Sequence, residues 1–135
     1  MRAWMMEVKD DTTQSWLKWR LHDYQGYHHH HLLEKAEYWL GATDLQWEKH
    51  WKWDNSNTYA SYFKWLPSEP NNYLDHQNCL AVRQRCPDDA DCIDYGWFDD
   101  DCYQKKFYIC ETKGILRGVP TTKAPRLEEK NVDTA

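Results

Sequence analysis

Five cysteines, all in the second half at positions 79, 86, 92, 102 and 110, constrain this 135-residue chain more than anything else in it. They contain no Cys-x-x-Cys, so the spacing fits neither a zinc ribbon nor a thioredoxin-type pair. A disulfide framework formed in an oxidising compartment accounts for them better. Proximity favours Cys86–Cys92, which closes a small acidic loop through Asp88, Asp89 and Asp91; Cys79–Cys102 then encloses it and Cys110 is left over. Spacing alone does not choose among the possible pairings.

A chain of this length holds one domain with a modest core. Nine Trp and nine Tyr mean that a few large side chains supply much of its buried area. The net charge is −5 and the seventeen Lys and Arg are dispersed. Nucleic acid is therefore not an expected partner, because phosphate binding needs a clustered basic face. No run approaches the ~20 apolar residues that cross a bilayer, so no membrane span is expected. The opening residues lack the apolar stretch of a secretory signal, so no signal peptide is read in this chain.

Met5 to Lys9 reads as a short strand, and Asp11-Thr12-Thr13-Gln14 resembles a capping box opening a helix. Leu17 and Leu21 take the i, i+4 spacing of one packed helix face, and Gly26 ends it. Tyr27 to Lys35, with its run His28–His31, reads as a solvated loop. Tyr38-Trp39-Leu40-Gly41 and Trp51-Lys52-Trp53 follow as aromatic strands, the second alternating both Trp onto one face, and Asp54–Asn57 is turn chemistry. Most of the tryptophans are assigned to the core and not to a sugar-stacking platform, with Trp47 the first expected at the surface. Cys79 to Val82 and Phe107 to Cys110 read as core strands. Residues 113–135 are polar and aperiodic and read as a disordered tail.

Thr58 to Gln77 is long, aperiodic and carries Pro67 and Pro70, and a loop of that kind in a compact domain is usually functional. It holds Glu69-Pro70-Asn71, ten residues before Cys79, while Trp97-Phe98-Asp99 stands five residues before Cys102. A carboxylate, a carboxamide and a further acid form an oxygen set suited to a hard cation and a polyol.

Trp39-Leu40-Gly41, Trp65, Glu69-Pro70-Asn71, the pair Cys79 and Cys102, and Tyr108-Ile109-Cys110-Glu111 occur in an order that resembles the C-type lectin-like domain. The resemblance runs from about Met6 to Glu111. It implies an α+β fold with a long ligand-binding loop region, disulfide-bonded through Cys79–Cys102, over residues 1–112. It also implies that the family's first strand and helix are lacking, which leaves the strand at Phe107–Cys110 with an unpaired edge.

Carried over position by position, the resemblance implies a calcium and carbohydrate site of Glu69, Asn71, Gln77 and Asp99, with the Glu69–Pro70 bond cis. Gln77 stands where relatives carry an acid, and Phe98 where they carry an Asn, so calcium binding is expected to be weak. Asn72 and Asn78 stand where an auxiliary calcium site often has acids, and that site is expected to be empty. The Glu-Pro-Asn order implies mannose- or fucose-type glycans, bound by an extracellular, secreted lectin whose single weak sites gain by clustering into a homo-oligomer. The alternative is a calcium-independent module of the same fold that binds a protein or a mineral matrix. No catalytic signature such as Gly-x-Ser-x-Gly or His-Glu-x-x-His occurs, so an enzyme is not expected.

Overall fold

The computed structural model describes residues 2–27, 36–85, 94–112 and 125–128; the side chains of 25–27 and 125–128 are not part of that description. Cys86, Cys92 and the histidine run lie outside it. Within it the chain has one long helix, α1 (Asp11–Tyr27), and strands β1 (Ala3–Met5), β2 (Glu37–Thr43), β3 (Lys52–Trp53), β4 (Thr58–Tyr59), β5 (Cys79–Arg85), β6 (Asp94–Asp100), β7 (Phe107–Thr112) and β8 (Pro125–Glu128). The strands form one mixed sheet ordered β1-β7-β2-β3-β4, with β5 joining β2 to β6 and β8 lying along β7. This is the α+β architecture that the motif order implies.

Two apolar faces hold the sheet. Tyr38, Leu40 and Ala42 of β2 point to the main core with Trp53, Trp97, Leu17 and Leu21, whereas Trp39 points the other way to Leu66, Ala81 and Phe98. The period of two along a strand makes this division. Trp53 and Trp97 are almost fully buried and meet edge to face at 6.1 Å. A buried Trp removes roughly 150–250 Å² from water, an upper estimate of about 4–6 kcal/mol each at 25 cal/mol/Å². The Cys79–Cys102 disulfide spans 23 residues, and loop closure of that size is worth about 3 kcal/mol. Apolar burial therefore dominates, and the disulfide locks two ends that the core already brings close.

Four local readings are corrected. The first strand is Ala3–Met5, not Met5–Lys9. Met6 and Val8 are instead buried in the core, and Met6 N donates to Ile109 O. The helix cap is Asp10: its Oδ1 accepts Thr13 N at 2.7 Å, and that bond holds the Asp10 carboxyl below its ordinary range. Asp11 ties the helix to the long loop, accepting from Tyr62 Oη and pairing with Lys64. Gln14 does not reach back to the cap either. It is buried, donating to Tyr95 O and accepting from Trp97 Nε1.

The third correction is that β7 has no bare edge along Tyr108–Glu111. β1 and β2 pair with β7, and β8 covers Tyr108 to Glu111 in antiparallel register. The fourth follows from this, because Pro125–Glu128 is a strand within the stretch read as a disordered tail. The backbone groups of β7 need partners, and a short segment with extended geometry supplies them. Cys110 lies buried on this strand.

Gly41 and Gly96 mark close approaches. A Cβ at Gly41 would stand 2.7 Å from the Met5 carbonyl oxygen, whereas one at Gly96 would meet the Leu66 side chain. Backbone yields less readily than a side-chain tip. Gly41→Ala is therefore expected to destabilise by about 1–3 kcal/mol, and Gly96→Ala by less. Denaturant melts of the two variants check the order; equal losses would contradict it.

Candidate functional site

The long loop is fastened to the sheet at both of its ends. At its start Trp65 bridges to Trp97, with Trp97 N donating to Lys64 O and Leu66 N to Trp97 O. Asp99 of β6 holds the far part: Asn71 N donates to its Oδ1 at 2.9 Å and Asn72 N to its Oδ2 at 2.6 Å. The Glu69–Pro70 peptide between these anchors is cis. Left-handed backbone at Ser68, Asn72, Leu74 and Asp75 lets the chain turn tightly through this stretch.

Three of the four carried-over positions converge. Asn71 Nδ2 donates to Glu69 Oε1 at 3.2 Å, and Asp99, 2 % exposed, stands against both residues. Glu69 Oε2 is buried with no hydrogen-bond donor. Burial and the adjoining Asp99 carboxylate push the Glu69 carboxyl up from its ordinary 4.5 to about 7. Gln77 sits at the edge of this set: its Oε1 accepts Tyr73 N, which Asn71 Oδ1 also accepts, and its Nε2 donates to Asp100 Oδ1. The amide is thereby used to brace the loop.

Phe98 does not face the loop. It is 5 % exposed in the second core cluster, under the Arg83 guanidinium at 4.9 Å and the Lys106 ammonium at 5.3 Å. Lys106 is itself buried and pairs with Glu37 at 2.7 Å and Asp100 at 2.6 Å. Asp100 is thus engaged by Lys106 and Gln77 and turned away from the Glu69 set.

Two acids escaped the sequence reading. Asp44, at the end of β2, is buried with Oδ1 lacking a donor, and Oδ2 accepts Lys49 N. Burial raises its carboxyl, and the Asp99 charge adds to the effect. Glu48, although exposed, is raised by partial desolvation and then by Asp44 and Asp99. Their only sequence signal was an acid just beyond the Trp-Leu-Gly strand with a second acid four residues on. Asp44, Glu48, Glu69 and Asp99 thus form one electrostatically coupled group. Trp47 is 60 % exposed, with its ring stacked on His50 at 3.6 Å.

Among the described residues, no three acidic, His or Cys side chains are arranged to hold a metal ion by themselves. A cation at this edge would have to combine the Glu69 and Asp99 carboxylates with amide oxygen. The unsatisfied Glu69 oxygen and the mutual repulsion of the two acids fit that role, since a divalent ion relieves both.

The family model described as Lectin C-type domain matches residues 2–112. Perlucin from Haliotis laevigata is 34% identical over 84 residues, 62% of this chain and 50% of that protein. The C-type lectin domain family 6 member A of Rattus norvegicus is 36% identical over 92 residues, 67% of this chain and 41% of that protein. The chain thus spans about half the length, or less, of these relatives. The crystal structure of the C-type lectin CEL-I from Cucumaria echinata superposes with a TM-score of 0.60 at 17% identity, covering 81% of this chain and 67% of that one. The human scavenger receptor C-type lectin carbohydrate-recognition domain gives 0.58 at 20% identity, covering 80% and 70%. At these identities the structural likeness establishes the fold.

The coupling of Glu69 to Asp99 has a measurable consequence. A carboxyl whose folded value lies above its unfolded one favours the ligand-free fold at low pH. That contribution is lost as pH rises from about 4.5 to about 7. Carboxyl NMR is expected to give a Glu69 midpoint near 7, and Asp99→Asn to lower it. A wild-type midpoint near 4.5 would refute the coupling.

Proposed function

The chain belongs to the C-type lectin family, and on that premise we propose that it binds carbohydrate of the mannose or fucose type with calcium, at the edge formed by Glu69, Asn71 and Asp99. The observation that carries this reading is the buried Glu69 oxygen without a donor, beside a second carboxylate whose charge it cannot escape. Glu69, Asn71 and Asp99 would hold the ion, and Gln77 would add a neutral oxygen after releasing Tyr73 N. Bound calcium supplies a hard acceptor for the oxygens of two vicinal hydroxyls.

The side chains do the selecting. A glycan hydroxyl donates its proton to the Glu69 carboxylate and accepts from Asn71 Nδ2, so the order of acid and amide along the loop sets which hydroxyl orientation fits. Phe98, a hydrocarbon ring buried beneath Lys106 and Arg83, offers no donor. One missing neutral hydrogen bond, at about 0.5–1.5 kcal/mol, weakens a single site roughly two- to tenfold. Clustering of copies would restore strength by avidity.

The setting we propose is extracellular. A disulfide between Cys79 and Cys102 persists where the surroundings are oxidising. One relative, 32% identical over 79 residues, is named Salivary C-type lectin 2, from Aedes albopictus. No helix among the described residues is long and apolar enough to cross a membrane. The function proposed is binding, not catalysis.

A second reading, a calcium-independent module for a protein or mineral-matrix partner, is favoured by one specific observation. Gln77 and Phe98 are both committed to internal contacts in this structure.

Calorimetric titration with calcium, with and without methyl mannoside, separates the two. The lectin reading expects calcium to raise the melting temperature and mannose binding to vanish with chelator. Glu69→Gln should abolish both. Absence of any calcium effect, together with chelator-insensitive partner binding, would transfer the case to the second reading.

A further inference from the structure

A separate cavity of about 390 Å³ lies where the segment after β1, the first turns of α1 and the end of β7 meet. Its volume falls within the ~300–1,000 Å³ typical of small-molecule sites. Glu7, Lys9, Asp10 and Glu111 are its charged walls, and the half-buried Trp16 is its aromatic one. Nothing in this set belongs to the loop that carries Glu69. Glu111 is only 5 % exposed. Its Oε2 accepts Trp4 Nε1 at 3.1 Å and Glu7 N at 3.4 Å, whereas no described residue donates to Oε1. Unlike Glu69 Oε2, that oxygen is not sealed from solvent. The small part of Glu111 left open is thus an acceptor without a donor, on a side chain that lines this cavity.

A count of charge narrows what can enter. Glu7 is already matched, because its Oε1 pairs with Lys9 Nζ at 3.1 Å and its Oε2 accepts Ser56 N. Asp10 is kept ionised by the bond it accepts from Thr13 N. No described cation pairs with Asp10 or Glu111, so two of the three lining carboxylates stay uncompensated. The N-terminal end of α1 offsets about half a charge, and the cavity remains negative. An anion is therefore repelled. A metal ion has no seat, since no three acidic, His or Cys side chains among the described residues are arranged to hold one. A wholly apolar ligand would strip water from the Glu111 oxygen and give nothing back. An organic ammonium answers both needs: its N–H groups donate to the carboxylates, and its carbon stem lies along Trp16.

We propose that this cavity is a binding site for a primary ammonium group on an apolar stem, with Glu111 and Asp10 as its anionic acceptors. A free alkylamine and a lysine side chain of a protein share that chemistry. The site is independent of the Glu69 edge and would serve with or without a ligand there.

The test titrates the full chain, in chelator, with n-butylammonium, n-butanol and a lysine capped at both ends, followed by amide NMR. Butylammonium is expected to bind about tenfold more tightly than butanol, the gain of a charge-assisted hydrogen bond. It should shift the amides of Thr12, Thr13 and Trp16. Glu111→Gln, which keeps an oxygen for Trp4 and Glu7, should weaken the ammonium about tenfold and leave butanol unchanged. Asp10→Asn keeps a helix cap and removes an exposed charge, so a loss of about two- to fivefold is expected; it carries the test if the Glu111 variant does not fold. Binding of the capped lysine as well as butylammonium would assign the site to a protein side chain, and binding of butylammonium alone to a free amine. Equal affinity for butanol would overturn the proposal. So would ammonium binding that neither substitution alters, shifts confined to Glu69–Asn71, or no binding at all.

Discussion

One carboxylate carries the loop. Asp99 accepts the backbone N–H groups of Asn71 and Asn72, so one side chain of the sheet holds two consecutive backbone groups of the loop. Hydrogen bonds to a charged acceptor are worth about 1.5–3 kcal/mol each, enough to hold an irregular segment whose own backbone includes several left-handed residues. The position of Asp99 is itself inherited. It lies opposite Leu80 in the β5–β6 ladder, one pair from Cys79–Asp100, and Cys79 is locked to Cys102. The order of dependence therefore runs from the tryptophan core to β6, from β6 to Asp99, and from Asp99 to Glu69 and Asn71.

The same carboxylate makes the site reactive toward cations and protons. Burial lifts the Glu69 carboxyl, and the Asp99 charge lifts it further. That charge also reaches Asp44 and Glu48 across the base of the loop. A clamp built from an uncharged group could hold the loop in the same geometry, but burial alone would then raise the Glu69 carboxyl, without the added repulsion of a second acid. Here loop order and ligand affinity draw on one group, so the two properties cannot be tuned apart at that position.

Lys106 explains how the sheet accommodates Phe98. The ammonium lies over Trp39 at 5.0 Å and over Phe98 at 5.3 Å, while pairing with Glu37 and Asp100. Burying that cation is costly unless it is fully paired. Two carboxylates and two ring faces provide the pairing. The arrangement draws Asp100 inward, where it also accepts Gln77 Nε2, and leaves Asp99 as the acid of β6 that accepts the loop's backbone N–H groups.

By itself the sequence determined the class of fold, because a strict order of aromatic, cysteine and Glu-Pro-Asn motifs is a one-dimensional property. It also determined which acids were candidates, since Glu69 and Asp99 lie at motif positions, and which apolar side chains share a face, since helical spacing pairs Leu17 with Leu21 and strand alternation pairs Trp51 with Trp53. β6 was not legible as a strand: five consecutive residues, Tyr95 to Asp99, are buried, so neither face shows the polar alternation that marks a strand. The cap read at Asp11 falls instead to Asp10, because Tyr62 and Lys64 of the distant loop engage Asp11. Only the tertiary structure decided that Asp44 and Glu48 join the acidic group, that Gln77 braces the loop, that Trp51 is buried with its N–H unmet, and that β8 lies along β7. Each of these depends on which distant backbone comes within a few ångströms. Burial and Coulomb coupling act through that distance, and separation along the chain does not report it.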